Sequence, residues 1–476
     1  MAETQLRTLS GQWATATATD VAALRGRLRG TLVGPDDPGY DDARAVWNGM
    51  IDRRPGLVVR CAGTADVILS VIFAREHGLV VSVRGGGHNT GGSAVADGAL
   101  MIDLSPMNGV RVDPLRHTVR AGGGVTIAEL DQETQAFGLA VPMGVVSQNG
   151  IAGLTLGGGF GWLRRRYGLS CDNLVGADVV TAAGELVTAG PGGDAELLWG
   201  LRGGGGNFGV VTSFEFQAHP VGPDVHFAVV LHRGEDARAA LRFYRQWAAD
   251  APDEVSAMAT LWHHPEQDEV PEPERGKPGL ALFAMHCGDP TAGAEMLRPL
   301  RDFGTPLADL SAAQPYLAAQ RYFDADYPAG EMRHYWRSRY LDALDDDAID
   351  AMIALNETSP SPQSAIDVWQ LGGRYARFTA DDAAYGERSA AYLIGIEGKW
   401  ADPGADDDGV AWGRRVVDTL APFSTPAEYV NFPGLYEDNA ALVRAAFGGN
   451  LDRLRALKKR YEPDNMFRFN HNIPPG

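Results

Sequence analysis

A single histidine, His88, stands among glycines in Val81-Ser-Val-Arg-Gly-Gly-Gly-His-Asn-Thr-Gly-Gly-Ser93. Gly85, Gly86 and Gly87 lack a Cβ and tolerate positive φ. Consecutive backbone N–H groups can therefore converge on an anion, and the backbone can approach a flat ligand closely. The β-branched residues before them read as a strand feeding a pyrophosphate-binding turn, with His88 where a ligand would be held. The same residues also suit a tight loop around a buried histidine.

A second run of small residues, Val141-Pro-Met-Gly-Val-Val-Ser-Gln-Asn-Gly-Ile-Ala-Gly-Leu-Thr-Leu-Gly-Gly-Gly-Phe-Gly161, follows about fifty positions later. The elements that must position both runs are legible in the spacing. A strand over 57–60, a helix over 64–77 with Val67, Ile68, Val71 and Ile72 at helical spacing, and a strand over 79–83 make a βαβ unit. Such a unit places an anion at its loops. Strands over 110–112 and 118–121 and a helix reaching Phe137 follow. The loop before the strand over 210–216 resembles a dinucleotide fingerprint, but no strand precedes it, so a structural turn is expected. Before all of these, a polar start and a helix over 21–28 are expected.

The chain has 476 residues, 45% of them hydrophobic, and 59 glycines. That suits about two to four globular domains in an α/β or α+β enzyme rich in loops. A net charge of −19 disfavours nucleic acid and anionic membrane as partners. No apolar run is long enough to cross a bilayer and the first residues lack a leader pattern, so a cytoplasmic protein is expected. Cys61, Cys171 and Cys287 show no metal-ligand spacing, and the His263-His264 pair lacks a spaced partner of ligand type; free thiols and no metal are expected.

Arg84-Gly-Gly-Gly-His-Asn89 with Met101-Ile-Asp-Leu-Ser105, the second glycine run, and Phe467-Arg-Phe-Asn-His-Asn-Ile-Pro474 together resemble the FAD-linked oxidases of the vanillyl-alcohol-oxidase or PCMH type, in their berberine-bridge-enzyme-like branch. The resemblance implies an α+β architecture. Two α/β subdomains form a PCMH-type FAD-binding domain over 1–219. A substrate domain with an antiparallel sheet backed by helices covers 220–425, and a C-terminal segment over 426–476 returns to the FAD domain. It also implies FAD as cofactor, joined covalently to His88, because a neutral imidazole nitrogen can add to the electrophilic methyl-bearing ring of the flavin. The cofactor-binding positions it carries over are Arg84, Gly85, Gly86, Gly87, His88, Asn89, Gly92 and Ser93 in the first run. In the second run and the tail they are Pro142, Val146, Asn149, Gly150, Gly153, Gly158, Gly161, Asn470 and Asn472. Trp47 and Asn48 match a stretch where the branch has an asparagine near the flavin; a packing role is expected for them.

The chain departs from the branch at three positions. Doubly tethered members carry a cysteine where Val146 stands, so a single tether is expected. Asn149 occupies a place that usually holds a small apolar residue governing oxygen access. Tyr429-Val-Asn-Phe432 ends in phenylalanine where alcohol-oxidising members have a tyrosine base, and phenylalanine accepts no proton. A replacement is sought on Trp369-Gln-Leu-Gly-Gly-Arg-Tyr-Ala-Arg-Phe378. Read as one strand, it puts Trp369, Gly373, Tyr375 and Arg377 on one face. Tyr375 is then the expected acid/base group, Arg377 its pKa-lowering neighbour, and Trp369, Tyr375, Arg377 and Phe432 the expected substrate contacts. Tyr322, Tyr327, His334 and Trp336 suit a pocket lining or an aromatic core equally.

The expected activity is hydride transfer from an amine or activated C–H of a small organic molecule, such as a secondary metabolite, to flavin N5, with O2 as electron acceptor. Alcohol or sugar oxidation with Tyr375 as base, oxygen transfer through a flavin–oxygen adduct near Asn149, and a flavin carrier without catalysis are the competing expectations.

Overall fold

A computed structural model of the chain describes residues 3–435 and 437–476. Its first layer is a four-stranded sheet in the order Thr31–Val33, Leu57–Arg60, Leu100–Asp103, Val81–Arg84, the last three strands being parallel. The helix Thr64–Glu76 makes the crossover, burying Val67 and Val71 on the sheet. The chain begins with a hairpin, Thr4–Arg7 paired to Trp13–Ala16, and its first helix is Ala18–Arg27. The hairpin lies in the stretch read from the sequence only as a polar start, because strands four residues long carry too little alternation to register.

A five-stranded antiparallel sheet forms the second layer, in the order Leu186–Ala189, Leu174–Val180, Val210–Gln217, Thr118–Gly122, Val110–Asp113. The helix Ile127–Gln135 opens with a capping box in which Thr126 and Glu129 each accept the other's backbone N–H. The C-terminal helix Leu451–Tyr461 lies against Ala195–Leu201, and Leu454 and Leu457 join the core of this sheet.

The third layer is an antiparallel sheet of eight strands. Its central path runs Asp224–Arg233, Pro278–His286, Val255–His263, Ala365–Gln370, Tyr392–Trp400, Arg333–Leu341. Helices Ala237–Asp250, Pro290–Asp302, Asp346–Glu357 and Asp406–Leu420 back one face, sealing it with Tyr244, Met352, Trp412 and Ile394. The other face, bearing Met258, Phe283 and Trp369, turns toward the glycine-rich segments. Among the described residues, no helix is long and apolar enough to cross a membrane.

Candidate active site

The two glycine runs touch. A Cβ on Gly86 would lie 2.3 Å from the backbone nitrogen of Gly150, and a Cβ on Gly150 equally close to that of Gly86. Both residues must therefore be glycine, and their contact fixes the turn carrying His88 against the start of the helix Ile151–Leu156. Gly87, at φ +69°, turns the backbone so that His88 follows. Arg84 holds the root of this turn: its guanidinium meets the buried Asp103 at 2.7 and 3.0 Å and donates to the Ala45 carbonyl at 2.8 Å. It is thus a brace for the cradle, spent on protein partners.

Between this cradle and the eight-stranded sheet lies a cavity of about 840 Å³. Gly85 to Asn89, Ser93, Val146, Asn149, Gly150, Gly153 and Asn470 all line it. Asn89 Oδ1 accepts from both the N–H and the hydroxyl of Ser93, which locks the far end of the first turn. Asn470 is held by donating to the Gly206 and Phe467 carbonyls. His88 Nε2, Asn149 Oδ1 and Asn470 Oδ1 are buried and have no hydrogen-bond partner among the described residues. Burial alone pushes the His88 imidazole down to about 3, so the ring is neutral and keeps a nitrogen lone pair. A glycine cradle without side chains, together with buried unpaired polar atoms on three residues that line the cavity, fits a large flat cofactor bearing hydrogen-bonding edges.

Other expected cofactor positions serve the fold. A Cβ on Gly161 would lie 1.6 Å from the Met143 carbonyl oxygen; on Gly158, at φ +120°, it would strike the Tyr385 ring, and on Gly92 the Ile51 side chain. Pro142 is buried and does not line the cavity, and Asn472 exchanges two hydrogen bonds with Asn439 through its backbone. The loop read as a purely structural turn also needs correction, since Gly205, Gly206 and Gly209 line the cavity.

Tyr375 and Arg377 do not lie where the sequence places them. The strand ends at Gln370; Gly372 and Gly373, at φ +87° and +60°, turn the chain into a short 3-10 helix over Gly373–Arg377. Tyr375 is fully buried and donates its hydroxyl to the Glu387 carbonyl at 2.6 Å, and burial holds its pKa well above that of an ordinary tyrosine. Arg377 reaches outward to Asp253 at 2.6 Å. Neither side chain lines the cavity, so Tyr375 is a packing residue and Arg377 a surface ion pair.

The true strand puts Ala365, Asp367 and Trp369 on the cavity face, beside Thr260 and Trp262 on one neighbour and Leu393, Glu397 and Lys399 on the other. Trp369 and Phe432 line the wall. Asp367 and Glu397 share a hydrogen bond. Burial first, then the Glu397 charge, drives the Asp367 carboxyl well above the usual range, while Thr260 donates to its Oδ1 at 2.7 Å. Burial also raises Glu397, against hydrogen bonds from Tyr327 and Asp367 and the pull of Lys399. The pair thus holds a proton, with Asp367 neutral. Lys399 donates to the Asp326 carbonyl at 3.0 Å and lies over the Tyr327 ring; burial lowers its pKa. Polar residues alternating along an otherwise apolar strand, Leu393 to Lys399, were the signal for this cluster.

Of the aromatic candidates, Tyr327 and Trp336 line the cavity, His334 is buried behind it, and Tyr322 packs on Phe227 and Phe283. His263 and His264 lie on the cavity wall near Trp262. Tyr429 also lines it, but its hydroxyl accepts from Gly159 N–H and the Asn431 amide, and burial pushes it up to about 12.

A glycine cradle facing an antiparallel sheet across one large cavity defines a flavoenzyme of the berberine-bridge-like class. Residues 55–190 match the FAD binding domain family, and residues 428–474 match the family described as berberine and berberine like. An uncharacterized FAD-linked oxidoreductase of Bacillus subtilis is 30% identical over 94% of this chain and 98% of its own length. The (R)-6-hydroxynicotine oxidase of Paenarthrobacter nicotinovorans is 29% identical over 94% of this chain and 97% of its own. The crystal structure of 6-hydroxy-D-nicotine oxidase from Arthrobacter nicotinovorans superposes with a TM-score of 0.84 at 27% identity, covering 94% of this chain and 98% of that one. The chain belongs to the FAD-linked oxidoreductases of this family and is an FAD-dependent enzyme.

Proposed function

We propose that the protein is an oxidase in which FAD, tethered once through His88, takes hydride from a C–H adjacent to nitrogen, or otherwise activated, in a small aromatic molecule, and O2 accepts the electrons. The observation that carries this reading is the Asp367–Glu397 pair on the sheet face opposite the glycine cradle, in a cavity where Phe432 supplies no base. Bound FAD supplies the hydride acceptor. The chain supplies the rest. His88, Asn149 and Asn470 meet the cofactor, and Val146 offers no second nucleophile. Trp262, Trp336, Trp369 and Phe432 give an aromatic wall against which a flat substrate stacks and from which water is excluded.

In this reading Glu397 Oε takes the N–H proton that the substrate nitrogen releases as hydride leaves the adjacent carbon, giving an imine, while Asp367 and Tyr327 hold the carboxylate in place by hydrogen bonds. An amine that is already neutral loses hydride without a strong base, which suits the missing tyrosine. The relative acting on 6-hydroxynicotine supports the same substrate class. Division of labour among a FAD domain over 1–219, a substrate domain over 220–425 and a returning segment over 426–476 belongs to the same proposal.

Two measurements test it. The tryptic peptide containing His88, isolated after acid precipitation, should be heavier by one FAD; an unmodified peptide with all flavin in the supernatant would refute the tether. Anaerobic mixing with aromatic amines should bleach the flavin faster than mixing with alcohols or oligosaccharides, and the reverse order would refute the substrate class. Oxygen transfer is a second reading because Asn149 lines the cavity and its buried amide oxygen has no partner among the described residues. Stoichiometric peroxide release favours the oxidase; oxygen incorporated into product favours the oxygenase.

A further inference from the structure

Behind His88, on the side away from the cavity, three rings are stacked. The Trp47 indole lies 3.9 Å from the His88 imidazole at 17° between planes, and 3.8 Å from the His334 imidazole at 24° on its opposite face. Trp47 is itself fixed from several directions. Its indole N–H donates to the Tyr327 carbonyl at 3.0 Å, its backbone N–H to the Gly87 carbonyl at 3.1 Å, and its carbonyl accepts from Gly330 at 2.8 Å. Asn48 completes the clasp, donating to the Thr90 and His334 carbonyls and accepting from the His334 N–H. His88, by contrast, sits in a glycine-rich turn; its Nε2 has no hydrogen-bond partner among the described residues, and its ring is otherwise hydrogen-bonded to its own backbone.

We infer that Trp47, backed by His334, is the positioning residue that presents the His88 ring for attachment to FAD. This rests on the single-tether reading above. Attachment replaces one C–H of the flavin's 8α methyl with a C–N bond. A His88 ring nitrogen contributes the electron pair, the methyl carbon gives up a proton, and the displaced electron pair reduces the flavin. O2 then takes two electrons and two protons from it, leaving oxidised histidyl-FAD and hydrogen peroxide. The bond requires the nitrogen lone pair, which lies in the imidazole plane, to point at one carbon. A flat face pressed on the ring fixes that plane, and the large indole does so without competing for the nitrogen. Burial supports the same step by keeping both imidazoles neutral.

The test compares Trp47→Phe, Trp47→Ala and His334→Leu with the unaltered holoenzyme. Total flavin per chain is measured by absorbance, and the share retained by the acid-precipitated polypeptide by fluorescence in denaturing gels. Trp47→Ala should bind a normal total of flavin but retain at least fivefold less of it, with Trp47→Phe restoring most of the retention because a flat face remains. His334→Leu, which leaves Trp47 and its hydrogen bonds in place, should retain an intermediate share and carries the test if Trp47→Ala precipitates. Retention equal to that of the unaltered protein in Trp47→Ala, or in His334→Leu if it stands alone, would overturn the inference. Loss of all flavin from Trp47→Ala would also overturn it, by making Trp47 part of the binding site or the fold. An unaltered protein that releases its flavin refutes the tether itself, a result distinct from either of these.

Discussion

The Tyr327 hydroxyl donates to Glu397 Oε2 at 2.6 Å, joining a loop of the substrate-facing wall to the strand Tyr392–Trp400 of the eight-stranded sheet. Through Glu397 the bond reaches Asp367, and through the backbone of Tyr327 it reaches the indole behind His88. One polar chain therefore connects the candidate proton acceptor with the candidate cofactor anchor.

Glu397→Gln should slow anaerobic flavin reduction by an amine about 10²-fold, the usual loss when a positioned proton acceptor is removed. Asp367→Asn, which preserves a donor toward Glu397, should cost less than about tenfold. The acceptor works only when ionised, and its folded pKa is raised. The reduction rate should therefore fall as pH falls, with a midpoint above the 4.5 of an ordinary glutamate. Stopped-flow bleaching across pH measures both effects, and a Glu397→Gln enzyme as fast as its parent would remove the carboxyl from the mechanism.

Tyr375→Phe should leave bleaching kinetics unchanged. It deletes the bond to the Glu387 carbonyl, a cost of about 1 kcal/mol in a urea melt. Slower bleaching at an unchanged urea midpoint would return Tyr375 to the chemistry.

Gly395 lies in the sheet between the acidic pair and the aromatic wall. A Cβ there would meet Asp367 at 3.4 Å and Trp369 and Phe432 at 3.5 Å, ordinary contact distances. Gly395→Ala should be nearly silent, whereas Gly395→Leu should fill the space over Asp367 and raise KM about tenfold while flavin content stays constant. Parallel steady-state and flavin-absorbance measurements separate substrate exclusion from misfolding; an unchanged KM in the leucine variant would place the substrate elsewhere.

Asp131 tests the fold rather than the chemistry. It is fully buried, one oxygen meets Gln320 at 3.2 Å, and burial pushes it up to about 7 from 3.8. Between those two values the folded chain holds a proton that the unfolded chain has released. Stability therefore falls as pH rises through that window, by on the order of 1 kcal/mol per pH unit, and levels off above it. Asp131→Asn should flatten the slope of denaturation midpoint against pH between 5 and 7. An identical slope in the variant would show that Asp131 is ionised when folded.

The sequence by itself determined the parts governed by local rules. Leu57–Arg60 and Thr64–Glu76 follow from periodicity. The glycine turn around His88 and the absence of a hydroxyl at Phe432 are written in single residues. Tertiary structure decided what depends on approach between distant segments. Gly86 against Gly150 is a backbone contact across about sixty residues, and no spacing rule encodes it. Tyr375 lies off the expected strand face because the paired positive-φ glycines at 372 and 373 turn the chain into a 3-10 helix, where strand alternation no longer applies. Asp367 and Glu397 were passed over because each is an isolated acid in its own strand. Only the register that sets Ala365 opposite Glu397 brings the two carboxyls together, and burial then makes them share a proton.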